Sequence, residues 1–259
     1  MSAELFVLGA GTILPREGFG ASGYALRPRR GAKLTLLDCG PGTLRALAGA
    51  GLDWLEIERV LISHFHADHC LDLFALAFAR QNPALAALEP IEVLGPRGLR
   101  EVLERGAHAP ARWIKDPRWK IVEVALDADG FGSERRAELE LRWAANGHTP
   151  ESLSWRVELA GGASLAYSAD TPPSRAVEQL ARDVELFVLE CSHTDEHADP
   201  RHLTPTSAAA MASAARARRV LLTHFYPDVE PHAARLAVAA RFGGPVELAR
   251  DGLRVEFGA

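Results

Sequence analysis

Cysteine, excess positive charge and long apolar runs are all scarce in this chain, and each scarcity excludes something. Three cysteines, Cys39, Cys70 and Cys191, are odd in number and widely spaced. They make no disulfide framework and fit a reducing compartment. The formal net charge of -5 gives no general attraction to nucleic acid or to an anionic membrane, so a polyanionic substrate would have to be held locally. Apolar runs stop well short of a membrane span. The opening Met1-Ser2-Ala3-Glu4 lacks the basic and long apolar regions of a secretory signal. A cytoplasmic protein with no membrane partner is the expectation. Also missing are a glycine-serine linker, a low-complexity tract and a short-period repeat, so residues 1–259 are read as one domain.

What is present is a run of strands, followed by strands alternating with helices, twice over. Leu5-Phe6-Val7-Leu8 reads as a buried strand entering Gly9-Ala10-Gly11, which lacks the third glycine of a dinucleotide loop. Ser22 to Leu26 and Lys33 to Asp38 read as paired strands. Pro41 suits the first turn of a helix through Leu44 and Leu47. Ile57 to Ile62 is a strand, a helix begins near His69, Ile91 to Leu94 is a short strand, and Pro96 opens a helix toward Arg105. Further strands are expected at Ile121 to Leu126, Leu139 to Ala145, Leu153 to Leu159, Ser164 to Ala169, Leu186 to Leu189, Arg219 to Thr223, Val246 to Leu248 and Leu253 to Phe257. Helices are expected at Ser174 to Ala181, Thr206 to Arg216 and Pro231 to Arg241. Two packed sheets with helices outside explain this order best, an α/β arrangement. Between His108 and Lys120, Arg112, Trp113, Lys115, Arg118 and Trp119 interleave basic and aromatic groups. A lid or subunit contact from Trp113 to Trp119 is favoured over a nucleotide-stacking surface.

The chemistry concentrates in Ser63-His64-Phe65-His66-Ala67-Asp68-His69, directly after the apolar strand. Buried imidazoles and carboxylates must find partners, and a metal ion pairs with several at once. His148, Asp170 and His224 each follow a later expected strand, where open α/β sheets build sites. His64, His66, Asp68, His69, His148, Asp170 and His224 are seven candidate ligands. Seven is too many for one catalytic zinc but suits two ions sharing a carboxylate. Nitrogen and oxygen donors favour zinc, with manganese or iron as alternatives. Two ions roughly 3.5–4 Å apart hold a bridging water and lower its pKa toward about 7, which is hydrolytic chemistry. Asp38, at a strand end, either caps backbone donors or orients a metal-bound histidine from behind.

His64-Phe65-His66-Ala67-Asp68-His69, with Asp38 before it and His148, Asp170 and His224 after it, resembles the metallo-β-lactamase superfamily over essentially the whole chain. The resemblance implies a four-layer αββα sandwich with His64, His66 and His148 on one ion, Asp68, His69 and His224 on the other, and Asp170 bridging them. Within that superfamily the chain is similar to the ribonuclease Z-like branch. His202-Leu203-Thr204 resembles that branch's His-x-Thr motif, Ser168-Ala169-Asp170-Thr171 its Gly-Asp-Thr segment, and Leu222-Thr223-His224-Phe225 its last ligand. The resemblance implies that His202 contacts the scissile phosphate or protonates the leaving oxygen. It also implies that Asp68 both binds metal and positions the attacking water, and that the protein forms a homodimer. His108, His193, His197 and His232 match no motif position and are read as surface or structural residues.

The chain departs from the branch at Pro41, where a Glu is usual, and at Asp72-Leu73-Phe74, where Gly-Leu-Pro is common. Members that process tRNA carry a long basic arm between the third histidine and the bridging aspartate. Here His148 and Asp170 are only 22 positions apart. The expected activity is therefore cleavage of a small-molecule or short phosphodiester rather than a folded tRNA. The rivals are a lactone, carboxylic ester or sulfate ester hydrolase of the same fold, and a metal-retaining binding module.

Overall fold

The computed structural model describes residues 2–108, 118–136 and 138–258. Most of the segment expected to form a lid or contact, residues 109–117, lies outside the described residues. From the amino end the first half runs β1 (Ala3–Gly9), β2 (Gly23–Arg27), β3 (Leu34–Cys39), α1 (Thr43–Gly49), β4 (Ile57–Leu61), α2 (Ala67–Cys70), α3 (Asp72–Arg80), β5 (Ile91–Gly95), α4 (Leu99–His108) and β6 (Trp119–Glu123). The second half runs β7 (Phe131–Arg136), β8 (Leu139–Ala145), β9 (Leu153–Leu159), β10 (Ser164–Tyr167), α5 (Arg175–Leu180), β11 (Leu186–Glu190), α6 (Pro205–Ala214), β12 (Val220–Thr223), α7 (Pro231–Phe242), β13 (Val246–Leu248) and β14 (Arg254–Phe257).

These strands form two seven-stranded sheets, ordered β14-β1-β2-β3-β4-β5-β6 and β13-β12-β11-β10-β9-β8-β7. Strands β3 to β6 are mutually parallel, as are β10 to β13. The apolar runs explain the layering, since a strand covered on both faces needs no polar alternation. In β11, Leu186 and Val188 enter the core between the sheets, while Phe187 and Leu189 face the layer of α6 and α7. In β3, Leu37 faces the same central core and Leu34 and Leu36 face the outer layer with Leu47, Leu73 and Leu99. The result is the αββα sandwich. Among the described residues no helix is long and apolar enough to cross a membrane.

Three local expectations change. The strand expected at Ile121 to Leu126 occupies Trp119–Glu123, so Trp119 sits in the sheet with its ring 6.3 Å from Phe74. The single helix expected from near His69 is two pieces, α2 and α3. Strand β7, Phe-Gly-Ser-Glu-Arg-Arg, was not anticipated because it is a half-exposed edge with no apolar face to reveal it. Its register with β8 holds it in place.

Candidate metal centre

Parallel strands deliver their carboxyl ends to one side of each sheet, and the two sheets meet there. Asp38 belongs to the end of β3, Ser63 and His64 follow β4, Asp170 follows β10, Glu190 ends β11 and His224 follows β12. Three of these junctions are held in left-handed backbone, with φ of 56° at Asp38, 50° at Ala169 and 59° at His224. Non-glycine residues pay for that conformation, and such strain collects where side-chain aim matters. His224 is fixed by its own N–H, which donates to the Ala10 carbonyl at 2.7 Å. Gly9 and Gly11 admit this approach, since a Cβ on either would collide with the backbone of residues 19 to 21.

Asp170 is the hub. Its Oδ1 lies 3.3 Å from His69 Nε2 and 3.2 Å from His224 Nε2. Its Oδ2 lies 3.9 Å from His64 Nε2 and 3.7 Å from His148 Nε2. His66 Nδ1 is 3.3 Å from His148 Nε2. Asp68 Oδ2 sits 3.8 Å from His69 Nε2 and 3.6 Å from His224 Nε2. Among the described residues, His64, His66, His148 and Asp170 form one group able to hold a metal ion, and Asp68, His69 and His224 another. A third joins Asp170, His202 and His224, with donor atoms within 4.8 Å of one another in every case.

The ring nitrogens are oriented from behind. The His148 Nδ1–H donates to the Arg201 carbonyl at 3.1 Å, and the His69 Nδ1–H to Asp38 Oδ2 at 2.7 Å. Ser63 gives its single hydroxyl proton to Asp38 Oδ2 at 2.8 Å, so its oxygen accepts from His64 Nδ1 at 3.0 Å. Ser192 gives its proton to Glu190 and accepts from His224 Nδ1 at 2.9 Å. Each imidazole thereby turns Nε2 inward. His64 Nε2, His69 Nε2, His224 Nε2 and Asp170 Oδ1 are buried without a hydrogen-bond partner among the described residues. Orphaned buried groups are costly, and these converge on one another. A divalent cation fits that donor set.

Charge is redistributed accordingly. Burial would raise the Asp68 carboxyl, but His224 and His69 outweigh it and hold it well below the usual range. Burial would depress the His69 imidazolium, yet Asp170 and Asp38 hold it well above its ordinary value. At His64 burial wins, assisted by His69, and the ring is held neutral.

His202 is buried beside this cluster, its ring 4.8 Å from His148 and stacked 5.9 Å from His224. Its Nδ1 is 3.3 Å from both Glu190 oxygens. Burial pulls the imidazolium down, but Glu190 outweighs it and the net direction is upward. Glu190 carried no motif. Its signal was a lone acid ending a fully apolar strand, Leu186-Phe187-Val188-Leu189-Glu190. Tyr167, whose hydroxyl donates to Asp38 Oδ2 at 2.7 Å, gave no signal beyond a strand-end position. His193, read from sequence as surface or structural, stacks on Tyr226 at 4.6 Å and meets His202 edge-on at 5.4 Å.

The beta-lactamase superfamily domain model matches residues 34–225, and the chain belongs to that family. It is 34% identical over 249 residues to an uncharacterized protein of Mycobacterium tuberculosis, covering 95% of this chain and 89% of the relative. It is 28% identical over 303 residues to the ribonuclease Z of Myxococcus xanthus, covering 98% and 97%. The metallo-beta-lactamase fold protein YhfI of Bacillus subtilis superposes with a TM-score of 0.84 at 21% identity, covering 99% of this chain and 100% of that one. The chain thus stands among the metal-dependent hydrolases of the metallo-β-lactamase fold and is similar in sequence to ribonuclease Z.

Proposed function

We propose that the protein is a dinuclear metal-dependent phosphodiesterase acting on a small or short phosphodiester. The observation that carries this reading is the division of Asp170, whose Oδ2 faces His64 and His148 while its Oδ1 faces His69 and His224. On this reading His64, His66, His148 and Asp170 hold one ion, and Asp68, His69, His224 and Asp170 the other. Two divalent ions, with zinc favoured by nitrogen and oxygen donors and manganese or iron as alternatives, supply Lewis acidity that acidifies a water and neutralises phosphoryl charge.

The chain's own residues do the rest. Asp68 accepts a hydrogen bond from the attacking water and aligns it. His202, whose imidazolium Glu190 favours, donates its proton to the departing alkoxide, and Glu190 fixes the ring so that Nε2 is the acid. The phosphodiester P–O bond to that alkoxide breaks as the new P–O bond forms, leaving a phosphomonoester and an alcohol. The 21 residues between His148 and Asp170 are filled by β9, β10 and their short turns, which supports a substrate smaller than a folded tRNA. The three cysteines are free and buried, which supports a reducing, cytoplasmic setting.

The leaving group tests the acid. His202→Ala should slow an alkyl phosphodiester by about 10²–10⁴-fold, but a 4-nitrophenyl diester far less, because nitrophenolate departs without a proton. Metal content, measured by elemental analysis, should stay at two ions per chain. Equal losses on both substrates would remove the acid role, and turnover of lactones or aryl sulfates alone would remove the phosphodiester.

A further inference from the structure

The loop carrying His148 also walls a cleft of about 560 Å³ that none of the proposed metal ligands lines. Pro96 and Arg97 follow β5, Val124 and Leu126 follow β6, and Pro150 and Glu151 lie just beyond His148. The cleft therefore opens at the same sheet edge as the metal cluster. Two contacts fix that adjacency. Leu153 N–H, in the cleft wall, donates to the Ser63 carbonyl at 2.9 Å, one residue before His64. Phe65, between His64 and His66, lies against Gly98 of the opposite wall.

The lining carries two charges, an exposed Arg97 and a half-buried Glu151. Among the described residues neither Arg97 nor Glu151 has an ion pair or a side-chain hydrogen bond. Leu126 is 42% exposed, an apolar side chain without cover. The volume falls in the range of small-molecule pockets. An acyl chain would desolvate Arg97 and Glu151 without giving either a partner. A second phosphate would be repelled by Glu151. A planar amino-bearing heterocycle satisfies all three features. Prolines and leucine cover its edges and one face, a guanidinium stacks on the other face, and a carboxylate accepts from its amine.

We propose that this cleft binds the base of a purine nucleotide substrate, with Glu151 accepting from the exocyclic amine and Arg97 covering a ring face. The inference rests on the phosphodiesterase reading and deepens it by naming the group esterified to the phosphoryl. It gives specificity to residues that take no part in bond breaking.

Calorimetric binding to the zinc-loaded protein tests this without turnover. Adenosine 5′-monophosphate should bind at least tenfold more tightly than ribose 5-phosphate, and more tightly than purine riboside 5′-monophosphate, which lacks the amine. Leu126→Trp, which fills the cleft from an exposed position, should erase the preference for a base. Glu151→Ala should erase only the preference for the amine. Equal affinity for adenosine 5′-monophosphate and ribose 5-phosphate, or a preference that survives Leu126→Trp, overturns the proposal. Cleavage of bis(4-nitrophenyl) phosphate by the same samples separates the two readings. Base-selective binding without that cleavage refutes the hydrolase and upholds the cleft, whereas cleavage without base selectivity refutes the cleft alone.

Discussion

Replacing Asp38 by Asn should weaken one metal ion and destabilise the chain, although it removes no atom from the shell facing the ions. The backbone gives no reason for loss, because Asn tolerates the left-handed φ of 56° as well as Asp does. The hydrogen bonds do. Asp38 Oδ1 accepts from Ser63 N–H at 2.8 Å, while Oδ2 accepts from Ser63 Oγ, His69 Nδ1 and Tyr167 Oη at 2.8, 2.7 and 2.7 Å. An amide keeps one oxygen and turns the other into a donor. Whichever way it flips, an N–H faces an N–H, either that of Ser63 or that of His69. The Tyr167 hydroxyl can rotate and accept, so about one charge-assisted bond is not recovered, roughly 1.5–3 kcal/mol. His69 escapes by giving up its Nδ1 proton and keeping the one on Nε2, the nitrogen needed for the ion. Affinity at that ion should fall about 10–100-fold, as for other residues that orient a ligand. Urea unfolding of metal-free protein reads the first number, and chelator competition with ion-resolved fitting reads the second. A variant that unfolds at the wild-type midpoint and holds both ions as tightly would refute the argument from His69.

Three further outcomes follow from the same hydrogen bonds and packing. Glu190→Gln removes the carboxylate that holds the His202 imidazolium up, leaving burial to pull it down; the alkaline limb of the pH profile for an alkyl diester should move to lower pH, and an unmoved limb refutes the pairing. His69 is held protonated above its unfolded value, so its contribution to metal-free stability is full below about pH 6.5 and lost as pH rises through the raised value. Metal uptake near neutral pH must therefore expel that proton, and binding enthalpies that do not vary with buffer ionisation would contradict it. Gly40→Ala places a Cβ against the Asp68 carbonyl with no room for it, so it should lower the urea midpoint and the metal content together; a variant matching wild type in both would show that α2, which carries Asp68, yields freely.

The candidate ligands that converge in the fold stand out in the sequence because they are local or end strands. His64, His66, Asp68 and His69 fall within six consecutive residues, and His148, Asp170 and His224 each follow a short apolar run. Doubly covered strands such as β11 and β12 advertise themselves by lacking polar alternation. Edge strand β7 does not, since its Glu134, Arg135 and Arg136 carry no buried face, and only pairing with β8 makes it a strand. The residues behind the ligands were harder. Nothing in sequence distinguishes the Ser192 hydroxyl from a solvated one, and Glu190 is an acid 12 positions from the histidine it orients. Such roles depend on which way a side chain points in a buried site, and periodicity does not encode that. His193, read as a surface or structural residue, likewise takes its setting from a distant partner, Tyr226, 33 positions away.

The two halves of the chain solve one physical problem in the same way. A ligating imidazole must present a bare nitrogen, so the proton on its other nitrogen needs an obligate acceptor. A serine alone is ambiguous, since its hydroxyl both gives and takes a proton. In the first half Asp38, fully buried at the end of β3, takes the Ser63 proton, which obliges Ser63 to accept from His64. In the second half Glu190, fully buried at the end of β11, takes the Ser192 proton, which obliges Ser192 to accept from His224. Each carboxylate then also faces a second histidine, His69 or His202. The difference between those two histidines follows from what lies on their far side. His69 Nε2 meets Asp170 Oδ1 at 3.3 Å and is drawn into the cluster, whereas His202 lies among the His148, His193 and Tyr226 rings beside it. One acid–serine–histidine arrangement, used at both strand ends, thus turns a bare imidazole nitrogen toward the cluster from both sides and, on the proposed reading, leaves His202 over as the acid.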